Sequence, residues 1–249
     1  MIEIVAGMLR AGVAQILIGR TICKPLPRNH LSLGISAISW RIGLDSLDWR
    51  ANDRFRRIRE NLFMLSLGKT KEPVAVLLAA LKFAADKHSR QRRKDLAATP
   101  YINHLIAVAE VLSRIGGITD LPTLQAAILH DTIEDTDTSP QELEDHFGQE
   151  VRLLVEEVTD DKSLPKQERK RLQVEHAPNL STRAKLIKLG DKICNVSEIT
   201  PTEPAEWPLQ RKLEYFDWAE KVVAGCRGCN PELEEHFDAV LKKSRESLL

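Results

Sequence analysis

The sequence predicts an all-α fold, and three observations support this prediction. Apolar residues recur three to four positions apart in successive segments, for example across residues 181–199, which is the spacing of a buried helix face. No segment alternates apolar and polar residues for long enough to form a strand. Prolines and glycines stand at the segment ends, where they start and stop helices. A helical bundle of 249 residues can bury a sufficient core.

We interpret the chain as one large domain, residues 71–249, preceded by an extension, residues 1–70. Residues 4–44 contain no acidic side chain, while arginines and lysines recur among apolar residues and serines. An organellar transit peptide has this composition. The alternatives are a disordered extension or a helix that packs on the body of the protein. Within the extension, residues 48–67 have irregular helical spacing that predicts an amphipathic helix.

The first half of the domain contains four predicted helices, at residues 73–85, 99–116, 120–130 and 139–158. Pro73 starts the first, which is apolar nearly all round and is therefore expected to be buried. Thr99 and Pro100 predict an N-cap and a first helical residue for the second, which a glycine pair at 116–117 stops. The sequence Ser-Pro-Gln-Glu from residue 139 is a capping box that opens the fourth.

The second half contains four more predicted helices, at residues 165–178, 181–199, 209–224 and 231–247. Prolines bound the first of these, and three prolines between residues 201 and 208 mark a connector. In the helix at 181–199, the apolar spacing places Asp191 on an inward face. A carboxylate on a core face needs a cation, because an unpaired buried charge is costly.

Residues 129–137 contain one imidazole and four carboxylates directly after an apolar helix. Carboxylates near a core are costly unless they are paired, and a divalent metal is the natural partner. His130 and Asp131 are adjacent, so both can reach one ion only where the helix ends or unwinds. His104 and Asp191, each on its own predicted helix, are the best candidates for two further ligands. A mixed set of imidazoles and carboxylates suits a borderline or hard divalent ion.

Glu134 and Asp135 stand four residues after His130 and Asp131, so in a continuing helical turn each acid lies beside a predicted ligand. This position is where an acid pair that activates water belongs. Together with a metal that polarises a phosphoryl oxygen, the pair predicts hydrolysis of a phosphoester.

The order His104, His130, Asp131 and Asp191 resembles the H…HD…D signature of the HD phosphohydrolase superfamily. Four segments, at residues 91–94 (Gln-Arg-Arg-Lys), 99–104 (Thr-Pro-Tyr-Ile-Asn-His), 130–136 and 155–162 (Val-Glu-Glu-Val-Thr-Asp-Asp-Lys), extend the likeness. They resemble the small alarmone hydrolases, which are metazoan SpoT homologues and bacterial relatives of the hydrolase half of RelA/SpoT proteins. The resemblance covers residues 74–241 and implies an HD-domain helical bundle with a single metal site between helices.

The resemblance implies a hydrolase that removes the 3′-pyrophosphate of guanosine 3′,5′-bis(diphosphate), ppGpp, with Glu134 and Asp135 as the catalytic pair. It implies one Mn²⁺ ion as cofactor, with iron or zinc as alternatives. It also implies a nucleotide pocket, and we expect six residues to contact the substrate: Arg93, Lys94, Lys166, Asn195, Arg211 and Tyr215. Leu105 and Gly190 depart from the family pattern, where proline and alanine are usual, but neither change removes a ligand.

Two alternative functions stay open. The first is removal of the 2′-phosphate of NADPH, an activity of the metazoan members of the family. The second is a nucleotide-binding HD module without turnover. Too few residues follow residue 241 for a synthetase or regulatory module, so we expect hydrolysis alone.

The composition excludes other partners and indicates a compartment. Lys plus Arg and Asp plus Glu both number 36, so no overall field attracts nucleic acid or an anionic membrane, and we expect neither as a partner. Polar residues interrupt every apolar run before the roughly 20 residues of a membrane helix. The four cysteines are too few and too uneven for a disulfide framework, which favours the cytoplasm, or an organelle if residues 1–44 form a transit peptide. A homo-oligomer is compatible with the sequence but does not follow from it.

Overall fold

The computed structural model describes residues 72–204 and 206–249. The predicted extension, its transit segment and its amphipathic helix therefore lie outside the described residues. In the described part, the chain forms helices and turns, and its one β-type contact is an isolated bridge between Arg92 and Pro100. The predicted all-α class is confirmed.

The described residues form ten α-helices, which we number in chain order. They are α1 Pro73–Lys87, α2 Ile102–Arg114, α3 Leu121–Leu129, α4 Thr132–Asp135, α5 Pro140–Phe147, α6 Gln149–Val158, α7 Lys166–His176, α8 Thr182–Ser197, α9 Leu209–Cys226 and α10 Pro231–Ser247. A short 3-10 helix covers Ala177–Asn179. None of the described helices is both long enough and apolar enough to cross a membrane.

Side-chain caps fix four of the helix starts. Asp120, Ser139, Ser181 and Asn230 each accept a hydrogen bond from the backbone N–H three residues later, at the starts of α3, α5, α8 and α10. These caps satisfy N–H groups that have no partner within the helix. The local sequence therefore determines where these helices begin.

Helix α8 lies at the centre of the bundle. It packs against α2, α3, α6, α9 and α10, and ten of its 16 residues are buried. Burial on several sides removes apolar surface from water and is the main stabilising term for such a helix. Because α8 contacts both α2 and α3, a side chain on its inner face can meet side chains from both.

The predicted helix at residues 139–158 is two helices. Gly148 separates α5 from α6 with a backbone φ of 87°, in a region that glycine enters without steric cost. The backbone N–H of Gly148 still donates to the carbonyl of Glu144 and so completes the end of α5. The apolar periodicity did not reveal this break, because both helices face the same core.

Thr99 does not cap helix α2, contrary to the sequence-based expectation. Its backbone N–H and its hydroxyl both donate to the carboxylate of Asp95, which closes a turn before the helix. Helix α2 begins at Ile102, and Tyr101 precedes it without a side-chain cap. Thr99 therefore belongs to a turn closed by the Asp95 carboxylate, as short polar residues often do, and lies too far before Ile102 to be the N-cap.

Helix α9 extends past its predicted end at residue 224. Gly225 lies inside the helix and packs against two residues of the 3-10 helix. A Cβ at this position would lie 2.7 Å from the Ala177 Cβ and 2.9 Å from the Pro178 Cδ. The glycine is therefore needed for close packing rather than to stop the helix.

Candidate metal centre and adjoining cavities

Three helices bring one group of potential metal ligands together. His104 lies in the first turn of α2, His130 follows the last residue of α3, and Asp191 lies in the middle of α8. Among the described residues, these three side chains form a group whose ligand atoms all lie within 4.8 Å of one another. Each is at most 9% exposed. Helix α8 continues unbroken through Gly190 and approaches Leu112 of α2 closely there.

The ligand atoms converge on one point. The Nε2 atom of His104 lies 3.2 Å from the Oδ1 atom of Asp191, and the Nε2 atom of His130 lies 3.9 Å from the same oxygen. The two imidazole rings are 5.5 Å apart between centroids. Two nitrogens and one carboxylate oxygen thus face a common space between the helices.

Asp131, the fourth predicted ligand, lies beside His130 but outside this group of three. Its Oδ2 atom lies 3.2 Å from the Nε2 atom of His130 and accepts a hydrogen bond of 2.6 Å from the hydroxyl of Tyr101. Asp131 lies between the end of α3 and the start of α4. This interruption is what allows the side chains of two adjacent residues to approach each other.

The charges around His130 suit a bound cation. Burial lowers its pKa, but the Asp131 and Asp191 carboxylates outweigh burial and raise the pKa to about 9. Burial raises the pKa of Asp191, but the charges of Lys192 and the two histidines have the larger effect and hold the pKa well below its ordinary value. For Asp131, too, the effect of His130 exceeds that of burial, so its pKa is lowered. The centre thus holds two ionised carboxylates, Asp191 buried and Asp131 half-buried, that attract a proton or a metal ion.

The hydrogen bonds of His130 also fit a metal ion. The Nδ1 atom of His130 lies 2.8 Å from the carbonyl oxygen of Ala127; since a carbonyl can only accept, Nδ1 carries the proton and donates. Its buried Nε2 atom has no hydrogen-bond partner among the described residues. In His104 the ring nitrogen without a partner there is Nδ1, whereas Nε2 is the atom that faces Asp191. Metal-binding histidines typically donate one ring N–H to a carbonyl and leave the other nitrogen for the metal, and of these two only His130 shows that pattern.

Two residues of α8 orient the Asp191 carboxylate. The ammonium group of Lys192 donates to Oδ2 over 2.8 Å, and the side-chain amide of Asn195 donates to Oδ1. Lys192 is 3% exposed, and its ammonium group lies 4.6 Å from the ring centroid of Trp218. Lys192 was missed by the sequence analysis, because neighbouring residues on a helix usually face different directions.

Asp135, at the end of α4, is held by two donors. The side-chain amide of Gln91 donates to Oδ2 over 2.8 Å, and the ammonium group of Lys162 donates to Oδ1 over 2.6 Å. Both donors belong to segments that carried the family resemblance, at residues 91–94 and 155–162. That likeness was the available signal for them, since neither is near Asp135 in sequence.

Glu134 lies beside Asp135 in a different set of contacts. The backbone N–H of Asp160 donates to its Oε2 atom over 3.1 Å, while Lys162 and Arg169 lie 3.2 Å and 3.6 Å from Oε1. Burial raises the pKa of Glu134, and the charges of Asp131 and Asp160 raise it further. Its environment therefore favours a protonated carboxyl more than water does.

Among the cavities beside the acid pair, two share part of their walls. The first, of about 380 Å³, is lined by Asp135, by residues 91–95 and by residues of the connector between α8 and α9. The second, of about 450 Å³, is lined by Glu134 and by cations of α7 and α9. Both include Trp207 and Tyr215 in their walls. One acid of the pair thus opens to each cavity.

All six residues expected to contact substrate line these cavities. Arg93, Lys94, Asn195 and Tyr215 line the first, and Lys166, Arg211 and again Tyr215 line the second. The structure thus brings together residues that are up to 122 positions apart, from Arg93 to Tyr215.

The cavity walls pair cations with aromatic rings. The guanidinium carbon of Arg93 lies 5.3 Å from the ring centroid of Tyr101, and that of Arg211 lies 4.1 Å from the ring of Trp207. Lys170 lies 4.6 Å from the ring of Trp218. These distances are those of cation–π contacts. Lys170 and the two tryptophans were not predicted, because no motif or periodicity in the sequence marks them.

Comparisons with known proteins find relatives of this chain. The HD domain family matches residues 80–214, a range that includes all four predicted ligands. The chain is similar to guanosine-3′,5′-bis(diphosphate) 3′-pyrophosphohydrolase MESH1 of Xenopus tropicalis, with 58% identity over 164 residues, 66% of this chain and 92% of that protein. It is also similar to the protein of the same name from Homo sapiens, with 57% identity over 169 residues, 68% of this chain and 94% of that protein.

A solved structure is similar as well. It is described as a metazoan ortholog of SpoT that hydrolyzes ppGpp and plays a role in starvation responses. The superposition has a TM-score of 0.67 at 50% sequence identity, and it covers 70% of this chain and 97% of that chain.

Proposed function

This chain belongs to the HD-domain family and, within it, to the small alarmone hydrolases, and from that premise we propose that it hydrolyses ppGpp to GDP and pyrophosphate. The observation that carries the proposal is the position of Glu134 and Asp135. They lie beside the candidate metal ligands and open to two cavities lined by cations. A polyanionic nucleotide with a scissile phosphate matches that combination.

The ligands that would hold the metal are His104, His130, Asp131 and Asp191. Two imidazole nitrogens and carboxylate oxygens form the mixed donor set that suits a divalent first-row ion, and we propose one Mn²⁺. Such an ion supplies Lewis acidity, which polarises a phosphoryl oxygen and makes water more acidic. Lys192 and Asn195 hold the Asp191 carboxylate in the direction of the site.

The proposed reaction forms one bond to phosphorus, breaks another and moves two protons, which the acid pair can accept and return. The oxygen of water bonds to the phosphorus attached to the 3′-oxygen, and the bond between that phosphorus and the 3′-oxygen breaks. The pair Glu134 and Asp135 accepts a proton from the water, and the leaving 3′-oxygen takes up a proton to become a hydroxyl. Glu134 is suited to hold and return a proton, because its pKa is raised.

We propose that the first cavity binds the guanine base of the nucleotide. One face of the Arg93 guanidinium lies over Tyr101, and we propose that the guanine base stacks on the opposite face. Asn195 accepts a hydrogen bond of 2.9 Å from Arg93 and so fixes that plane. Lys94, beside Arg93 on the same wall, would meet a phosphate.

The second cavity would bind phosphate groups. The pKa of Lys166 is lowered, first by burial and then by the neighbouring charges of Arg211 and Lys94. The pKa of Lys170 is lowered by burial and by Lys166. Cations that repel one another in this way are stabilised by a polyanion placed between them.

We also propose the domain limits and compartment that the sequence suggested. Residues 71–249 would form the hydrolase domain, acting on a small-molecule nucleotide. Cys194, Cys226 and Cys229 are free thiols, which suits the reducing conditions of the cytoplasm.

The test is a pyrophosphate-release assay with purified protein, Mn²⁺ and ppGpp. We compare wild type with the double variant Glu134→Gln, Asp135→Asn, which keeps the shapes of both side chains. We expect the double variant to lose about 10²- to 10⁴-fold in kcat, because general acid–base catalysis contributes about that much. Glu110→Gln, an exposed acid of α2, is the matched control and should keep full activity. No pyrophosphate from the wild type at saturating substrate, or full release by the double variant, would contradict the proposal.

A second candidate is removal of the 2′-phosphate of NADPH. The observation that favours it is the shared wall of the two cavities, since together they offer room for both halves of a dinucleotide. Running both substrates in parallel and comparing kcat/KM decides between them. Binding of ppGpp without turnover of either substrate would instead support a nucleotide-binding module.

A further inference from the structure

A buried histidine outside the candidate metal centre leads to the acid pair. His88 follows the last residue of α1 and is 2% exposed. Its Nδ1 atom lies 2.5 Å from the side-chain oxygen of Gln91, and the amide nitrogen of Gln91 lies 2.8 Å from the Oδ2 atom of Asp135. These contacts form a chain of three side chains, which we call the His88–Gln91–Asp135 relay.

The chemistry of the groups fixes the direction of each hydrogen bond. An ionised carboxylate can only accept, so the Gln91 amide must point its NH₂ group at Asp135. The oxygen of the amide then faces His88 and accepts, so the proton of the imidazole is on Nδ1. Losing the His88 donor would leave the amide oxygen without a partner and would free the amide to rotate.

Packing holds the His88 ring in place independently of that bond. The ring stacks on Tyr101 with centroids 5.1 Å apart and an interplanar angle of 22°. Tyr101 in turn donates to Asp131. The other ring nitrogen of His88, Nε2, is buried and has no hydrogen-bond partner within the described part of the chain. The polar function of His88 is thus confined to its bond with Gln91.

The position of Asp135 explains why such support is needed. Helix α4 is only four residues long, and Asp135 is its last residue. The next residue, Thr136, already has an extended backbone, with φ −131° and ψ −174°. The second donor to Asp135, Lys162, has a side chain that is 47% exposed, so it does not restrict the carboxylate as a buried group does. Gln91, by contrast, is half-buried, and His88 behind it is buried.

We propose that His88 and Gln91 are positioning residues that hold the Asp135 carboxylate in its orientation towards the reacting water. This inference rests on the proposed function, in which Asp135 acts on that water. A carboxylate misplaced by about 1 Å can lose about 10²-fold in rate. His88 lines neither the first nor the second cavity, so its effect on turnover would act through Gln91 and Asp135.

The test begins with a pair of variants at His88. His88→Phe keeps an aromatic ring against Tyr101 and removes the Nδ1 donor. Because Nε2 has no partner among residues 72–204 and 206–249, only one side-chain hydrogen bond is lost within them. We expect kcat for pyrophosphate release to fall about 10- to 100-fold, as for other outer-shell partners of a site, with KM close to the wild-type value. His88→Asn loses the ring but offers an amide N–H near the place of Nδ1, and it should recover part of kcat.

Gln91 provides the second measurement, which holds even if a His88 variant fails to fold. Gln91→Ala should lower kcat by a similar factor in the wild-type background. In the Asp135→Ala background, measured by single turnover with excess enzyme, it should cause no further loss, because the group that it positions is gone.

Three outcomes overturn the inference. Additive losses in the Gln91 and Asp135 double variant would mean that Gln91 acts elsewhere. A raised KM with unchanged kcat would make Gln91, which lines the first cavity, a substrate contact instead. Unchanged kcat in a folded His88→Phe protein would remove His88 from the relay. If the wild type itself releases no pyrophosphate, the proposed function fails and this role with it, so the two failures are distinguishable.

Discussion

Glu134 shows how the surroundings of one residue can serve catalysis at the expense of stability. It is half-buried near two other carboxylates, and its partial burial together with the charges of Asp131 and Asp160 raises its pKa despite the cations beside it. A folded-state pKa above the unfolded value means that the fold prefers the protonated form. At pH values above the folded-state pKa, the ionised carboxylate therefore lowers the free energy of unfolding.

We therefore predict that Glu134→Gln raises the melting temperature of the metal-free protein at pH 8. The gain should shrink as the pH falls towards about 4, because the wild-type carboxyl becomes protonated first in the folded state and then, near the ordinary pKa of glutamate, increasingly in the unfolded state. Thermal unfolding by circular dichroism between pH 4 and 8 measures this. Glu110→Gln, with an exposed side chain, should show no such dependence. A lower melting temperature for Glu134→Gln at pH 8 would refute the prediction.

At the scale of elements, the contact between α9 and the 3-10 helix depends on one missing side chain. Gly225 would be expected to weaken a helix, because glycine costs about 1 kcal/mol relative to alanine there. In this structure an alanine Cβ would instead meet Ala177 and the ring of Pro178, at 2.7 Å and 2.9 Å. Neither neighbour can turn away as a long side chain could.

Gly225→Ala is therefore predicted to destabilise the protein by about 1–3 kcal/mol, the usual cost of overpacking, despite the better helix propensity of alanine. The melting temperature should fall by about 2–4 °C for each kcal/mol. Lys221→Ala, at an exposed position of the same helix, should leave it nearly unchanged. An increase in melting temperature for Gly225→Ala would show that the two elements can move apart at little cost.

At the scale of the whole molecule, the candidate ligands connect helices that are distant in the chain. His104, His130 and Asp191 belong to α2, the end of α3 and α8. An ion bound to all of them stabilises the folded state, because the unfolded chain does not hold these groups together.

We predict that Mn²⁺ raises the melting temperature. At a free concentration of 100 times Kd, the stabilisation is about 2.7 kcal/mol, which corresponds to about 5–11 °C for a domain of this size. Differential scanning calorimetry with Mn²⁺, and again after a chelator, measures the shift and its reversal. The His104→Ala variant should lose the shift. The same rise in that variant would indicate that the ion binds elsewhere.

The sequence by itself determined the features that depend on residues within about four positions of one another. Asp120, Ser139, Ser181 and Asn230 cap their helices through bonds to a backbone N–H three residues later, and such bonds can be predicted from local spacing. The all-α class followed from apolar periodicity in the same way. The grouping of His104, His130 and Asp191 is not a local feature of this kind: it was predicted from their places at a helix end or on a core face together with the family resemblance.

Tertiary structure alone decided the contacts between residues far apart in the chain. Gln91 meets Asp135 across 44 positions, and Lys162 meets it across 27. The close approach that requires Gly225 likewise comes from another element. The physical reason is that helix periodicity states which face is buried but not which side chain of another helix it meets. The groups that hold the acid pair in place therefore became visible only in the folded protein.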